Sequence, residues 1–260
     1  MKSVRLFSAA LAALLVAGCS APATVSAPPA TSAGTPAVTT TAPPPAGGQE
    51  VDKAALLQAI TQAQAFVKTS TTTIDGSTTV AGKTTAIKSV VVADRTNTAH
   101  TVAKTTMSAA GADFNMIIDG DTYYMQMGGT WFKLDKSSLD KSGVPVPDLT
   151  DQSAQLKDMS GKVQKIVLVG DETVDGVATK HYLLTLDGSA LSSLQSGATA
   201  APTVTTIPYD IWVDGNSIMR KFAMTLKQDT GDFVMTGVIS KINEAVNIEI
   251  PKNAQAFPGK

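Results

Sequence analysis

Val16-Ala17-Gly18-Cys19 places the only thiol of the chain behind an apolar run, residues 6–17, which itself follows Lys2 and Arg5. A cysteine in that setting has one characteristic chemistry. Its sulfur takes a diacylglyceryl group, and cleavage before it makes it the new N-terminus. The basic start, the apolar run and the small residues before Cys19 are the three parts of a secretory signal. Together they read as a bacterial lipobox. A run of about twelve residues is too short to span a bilayer, which takes roughly twenty. Two or three acyl chains of the palmitate type, at about 0.8 kcal/mol per buried methylene, hold a protein firmly where one does not. The alternative is an ordinary signal peptide with a chance cysteine. The expectation is a lipid anchor at Cys19 on the outer face of a bacterial cell membrane, in the periplasm or cell envelope.

Other reactive groups are sparse. The two histidines, His100 and His181, lie in strand-like stretches far apart and in no metal-ligand spacing. There is no Gly-x-Ser-x-Gly elbow and no phosphate-cradling glycine motif. Asp119/Asp121 and Asp171/Glu172 sit beside Gly120 and Gly170, where turn chemistry is the first reading. An envelope hydrolase would have to rest on these scattered carboxylates alone. The expectation is therefore no enzyme, no metal and no cofactor.

Of 21 Lys and Arg, Lys2 and Arg5 fall in the leader, leaving 19 against 22 Asp and Glu, a formal charge of −3. Without a basic stripe, nucleic acid is not expected as a partner. With Cys19 consumed by the anchor no disulfide can form, so the fold depends on its core.

The chain divides by composition into a leader (residues 1–18), an acylated cysteine and tether (19–50), and a folded domain (51–260). Residues 20–49 carry no charge and hold seven of the thirteen prolines. Such a segment buries too little apolar surface to offset its ordering entropy. Its span lies between roughly 30 Å as coil and 90 Å as polyproline II. Thr39-Thr40-Thr41 is a candidate for O-linked sugar by composition.

A helix is expected after Asp52, a plausible N-cap, with Leu56, Ile60, Ala63 and Val67 on one face. From residue 70 the period changes to two, with strands near 71–79, 84–93, 99–107, 112–118, 122–126 and 131–134. Further strands follow near 165–173, 179–186, 207–213, 218–227, 232–241 and 246–250. Short helices are expected near 151–159 and 189–194. In 218–227, Ile218, Phe222, Met224 and Leu226 face one way, Met219, Lys221, Thr225 and Lys227 the other, and Arg220 interrupts the apolar side.

The fold class is α+β: a large curved antiparallel sheet of about ten strands, a half-open β-barrel too broad to stay flat. A few helices cover its inner face. That face is wider than the helices, so it is either filled by side chains or left with an apolar cavity. Strand parity gives the inward candidates Met116, Ile118, Met125, Tyr182, Leu184, Leu186, Ile211, Val213, Phe222, Met224, Leu226, Phe233 and Met235, with Leu56 and Ile60 from the helix. The methionines suit either a packed core or a surface that accepts apolar groups of varied shape.

Three stretches carry a resemblance. Pro208-Tyr-Asp-Ile-Trp-Val-Asp214 with Ile218-Met-Arg220 resembles the Trp-Val strand, turn and hydrophobic-x-Arg strand of the mycobacterial LppX/LprG/LprA lipoprotein family. Gly170-Asp-Glu-Thr-Val-Asp-Gly176 is similar to its Gly-x-Glu-x-x-Asp-Gly hairpin. Asn243-Glu-Ala-Val-Asn-Ile248 resembles its closing segment, with Ala245 in place of the usual proline. The resemblance implies a LolA/LolB-like half-barrel whose apolar cavity accepts acyl chains of envelope lipids or glycolipids. It also implies a carrying or presenting role across the envelope. A membrane transporter is the candidate partner, and a monomer is expected.

A non-catalytic sensor or scaffold with a filled core, docking a membrane partner, is the other reading. Trp131 and Trp212 are placed at a cavity mouth, or Trp212 against a covering helix. His181 is expected to face solvent. Arg220 is expected to pair with an acid or to touch a lipid head group, the acid being the simpler reading.

Overall fold

The computed structural model describes residues 48–135, 159–190, 204–228 and 231–257. In chain order these form β1 (Gln49–Glu50), α1 (Lys53–Gln64), β2 (Thr69–Val80), β3 (Lys83–Asp94), β4 (Val102–Ala109), β5 (Ala112–Asp119), β6 (Thr122–Met127) and β7 (Thr130–Asp135). There follow β8 (Val163–Val174), β9 (Val177–Asp187), β10 (Thr206–Asp214), β11 (Met219–Gln228), β12 (Gly231–Ser240) and β13 (Gln255–Ala256).

All thirteen strands join one curved, open sheet in the order β1-β8-β9-β10-β11-β12-β2-β3-β4-β5-β6-β7-β13. Every neighbouring pair is antiparallel except β13 on β7, which is parallel. Two meanders, β2–β7 and β8–β12, are thus sealed side by side through the β12/β2 ladder, which runs from Gly231↔Val80 to Ser240↔Thr71.

Tight hairpins explain the regularity. Asp175 and Gly176 have φ of 47° and 79°, the doubly left-handed turn whose twist matches the flanking strands. The long β-branched runs of β2 and β3 suit a pleated surface.

Two parts of the expected architecture are corrected. The strand count is thirteen rather than about ten, because two-residue ribbons close on the sheet edges: β1 on β8, and β13 on β7. Among the described residues the helical positions are α1, a single turn at 159–162 and Ala190. The helix expected at 151–159 lies outside the described residues except at Met159, and that at 189–194 except for its first two positions.

The strand expected at 246–250 does not form; those residues are irregular. Its predecessor β12 is interior, paired with β11 on one side and β2 on the other, so the following chain has no adjacent edge to join. Lys241 and Asn243 take left-handed φ values of 49° and 60° and turn it off the sheet. It regains pairing only at β7.

Helix α1 begins as expected: Asp52 accepts the Ala55 N–H at 3.0 Å. It ends at Gln64 rather than near Val67, in a tight turn where Val67 N–H donates to the Gln64 carbonyl at 3.1 Å.

Candidate functional site

The registers decide which residues share a face. Met116 pairs with Met125, and Ile118 with Tyr123. Ile211 pairs with both Tyr182 and Phe222, and Met224 with Met235. The chain of pairings Met235↔Gly76, Gly76↔Ile87 and Ile87↔Ala109 carries the same face across the seam, and Ala103↔Ile118 links the far half. The strand residues read as inward from sequence therefore lie on one face, the face that carries α1.

They gather in two separate clusters. Leu56 and Ile60 pack with Tyr182, Leu184, Leu186, Ile211, Val213, Phe222, Met224, Leu226, Phe233 and Met235 under α1. Met116, Ile118 and Met125 belong to a second cluster with Ala93, Ala103, Phe114, Tyr123, Leu134 and Phe257. Between the clusters the same face is only half-buried, with Thr72, Thr78, Thr85, Ser89 and Thr105 beside Ile74, Ile87, Val91 and Met107. Residues of the opposite parity there, such as Asp75, Ala86, Lys88 and Thr106, are exposed.

Sequence reading missed several members. Ile207 is fully buried and Tyr209 nearly so, both on the parity of Ile211, as simple alternation would have shown. Burial pushes the Tyr209 phenol well above its ordinary pKa. Phe222 spreads its ring over Gly237, its cross-strand partner, where any β-carbon would collide with it.

Met219 and Ile218 correct the parity assigned to 218–227. A bulge between Trp212 and Val213 pairs Val213 with Met219, so Met219 joins the inner cluster. Ile218 precedes the strand, and its N–H donates to Asp214 Oδ1 at 3.0 Å. Arg220 pairs with an acid: its Nη2 and Nε reach Asp214 Oδ2 at 2.7 and 2.8 Å.

The other face holds a compact polar knot, and here two expectations fail. His181 is buried, at 7 % exposure, rather than facing solvent. Its Nδ1 lies 2.8 Å from Glu172 Oε1 and its Nε2 2.8 Å from Asp210 Oδ1. Trp212 lies at neither a mouth nor a helix; it stacks on His181 with centroids 4.2 Å apart and donates Nε1–H to Glu172 Oε2 at 2.8 Å. Lys221 covers the indole at 4.1 Å. Trp131 also has the outer parity, opposite Gln126. Val174, Ala223 and Val238 pack beside Trp212.

Burial alone would lower the His181 pKa, but its hydrogen bonds to Asp210 and Glu172 and their charges outweigh it and raise it. Burial would raise that of Glu172, but the bonds from Trp212 and His181 outweigh it and hold it low. Both ring nitrogens are committed, so the knot is a charge-assisted clamp, with no free base for a substrate.

Asp119 and Asp171 also have structural partners. Asp119 meets His100 Nε2 at 2.6 Å, in a turn rather than a strand. Asp171 meets Lys180 at 3.0 Å. Gly170-Asp171-Glu172 lies within β8 beside a bulge and not in a turn. Among the described residues no His, Cys, Asp and Glu side chains converge as a metal set. No helix there is long and apolar enough to cross a membrane.

The profile of DUF7537, a family of unknown function, matches residues 5–245. The chain belongs to that family. No curated protein matches the sequence. Among solved structures, the lipoprotein LppX of Mycobacterium tuberculosis is similar over 76 % of this chain and 100 % of its own, with a TM-score of 0.50 and 19 % identity. LprF of Mycobacterium bovis is similar over 76 % of this chain and 97 % of its own, with a TM-score of 0.51 and 14 % identity. The resemblance to mycobacterial lipoproteins read from three short stretches therefore holds for the fold.

Proposed function

We propose that this DUF7537 member is an envelope lipoprotein that takes acyl chains of lipids or glycolipids onto its inner face and carries or presents them. Cys19 is the anchor, the chain after it the tether, and the domain that begins with β1 at Gln49, two residues earlier than composition suggests, the binding domain. The observation that carries the reading is the split inner face. Two apolar clusters share one side of a thirteen-stranded sheet, and on the strip between them Ile74, Ile87, Val91 and Met107 stay only half-buried. A sheet built only to close a core would bury those apolar side chains fully.

The energetics fit such a role. Exposing a sixteen-carbon chain to water costs about 12 kcal/mol at roughly 0.8 kcal/mol per methylene, and a carrier that shields it removes most of that barrier. The tether keeps the carrier close to its donor membrane, and the polar head group stays wet.

The test is extraction from vesicles. The chain from residue 19, carrying Cys19→Ala, is mixed with vesicles containing a pyrene-labelled, self-quenched phospholipid. The reading expects saturable dequenching at a fixed lipid-to-protein ratio. No extraction at any protein concentration would move the assignment to a sensor or scaffold.

A further inference from the structure

Two side chains near Lys68, where α1 hands over to the β2/β3 ladder, hold buried donors that meet no acceptor. Arg95 follows β3, and its backbone N–H donates to the Lys68 carbonyl, continuing the β2/β3 ladder by one step. Alternation then puts its side chain on the side of Ala93, which belongs to the second apolar cluster. Its Nε and Nη1 are buried without a partner. Gln64 ends α1 and lies four residues after buried Ile60, on the stripe that faces the sheet. Its Nε2 is likewise buried without a partner.

The ordinary acceptors nearby are engaged elsewhere. Asp94 alternates to the other face and takes the Thr96 N–H at 2.9 Å. Asp119 is held by His100. The last carbonyls of α1, from Gln62, Ala63 and Gln64, accept from Ala65, Phe66 and Val67. Asn243 Oδ1 takes the Lys68 N–H at 2.7 Å. Burial with no acid beside it lowers the Arg95 pKa, yet a guanidinium stays charged throughout the physiological range. Arg95 as a whole is half-buried, but two of its nitrogens are out of reach of water and lack an acceptor, which an anionic partner would supply.

We propose that Arg95, with the Gln64 amide, seats the oxyanion of a lipid head group whose acyl chains lie on the inner face. This rests on the lipid-binding reading above and narrows it to lipids bearing a phosphate or carboxylate. Nε–H and Nη1–H leave the guanidinium in different directions, so one of them meets such an oxyanion, the positive charge strengthens that bond, and the Gln64 amide adds a second donor. A neutral diacylglycerol offers these donors only ester and hydroxyl oxygens, without the charge that would pair with the guanidinium.

The experiment uses the chain from residue 19 with Cys19→Ala and three probes: dipalmitoyl phosphatidic acid, dipalmitoylglycerol and inorganic phosphate. Phosphatidic acid binds at least about tenfold more tightly than dipalmitoylglycerol. Arg95→Gln abolishes that preference while leaving dipalmitoylglycerol binding unchanged. In lipid-free protein, Arg95→Leu raises Tm by about 2–4 °C, because its buried donors without an acceptor are gone. Equal binding of the two lipids, a preference that survives Arg95→Gln, or a fall in Tm for Arg95→Leu overturns the proposal. Phosphate binding that Arg95→Gln removes, with no discrimination between the lipids, reassigns the site to a free anion and overturns it too. Failure to bind either lipid refutes the lipid-binding reading itself, an outcome distinct from equal binding.

Discussion

Trp212 donates its indole N–H to Glu172 at 2.8 Å, tying β10 to β8 across the intervening strand β9. The two residues come from the two longest stretches that resemble the mycobacterial lipoproteins. On β9 between them lies His181, bonded to Glu172 and to Asp210. The signature residues of this region therefore serve as fastenings on the outer face, behind the apolar side. They fix the register of the strands that carry the inner cluster.

Trp212→Phe removes that bond and part of the stack on His181. Because Glu172 is half-exposed, water compensates part of the loss, and the expected destabilisation is about 2 kcal/mol. Urea unfolding measures it. Lipid uptake by the folded variant should be unchanged, since the indole lies on the far face.

The knot also makes stability depend on pH. His181 has a raised folded pKa, so its contribution is complete below its ordinary value of 6.5 and is lost as pH rises through the folded value. Glu172 has a lowered pKa, so its contribution is present above its ordinary value of 4.5 and is lost as pH falls through the folded one. Stability against pH should show its shoulder between these limits. In His181→Gln the decline on the alkaline side should vanish; a decline as steep as in the native chain would mean another group is responsible.

Asn243 opens the third resembling stretch, and it too is a fastening. Its side chain takes the Lys68 N–H at 2.7 Å and donates to the Phe66 carbonyl at 3.1 Å, holding the turn between α1 and β2. Asn243→Ala loses both bonds and puts an unsuited residue at φ 60°, for about 2 kcal/mol. Asn243→Gly keeps the backbone relaxed and should lose about half as much. Amide exchange at Lys68 should quicken in both.

Much of this fold was legible in the sequence because alternation, turn residues and an N-cap all act locally. The hairpin at Asp175-Gly176 and the cap at Asp52 depend on nearest neighbours alone. Parity put Met116, Leu184 and Met224 on a common side because a pleat leaves no other choice. What could not be read was non-local. The bulge that turns Met219 inward depends on its pairing with β10, and the burial of His181 depends on carboxylates from two other strands. The missing strand at 246–250 has good local character, and only the interior position of β12 denies it a partner. The seam between β12 and β2 joins segments too far apart for any sequence period to reveal.

Parity offers a direct test of the half-buried strip. Ser89→Trp, on the inner side of β3, should cut lipid extraction several-fold with the fold retained. Ala86→Trp, exposed on the outer side of the same strand, should leave extraction unchanged. Equal effects of the two would place the lipid elsewhere.

The anchor is separable from the domain. Cys19→Ala should move the protein from the membrane fraction to the soluble one, with its lipid uptake intact. An unchanged membrane fraction would contradict the anchor.

The central claim meets its most direct test in native mass spectrometry of the Cys19→Ala chain purified from a bacterial envelope, followed by extraction and identification of any bound lipid. The account predicts a discrete adduct of fixed stoichiometry whose mass matches an acylated envelope lipid. A lipid-free mass that persists after incubation with envelope lipids would contradict it.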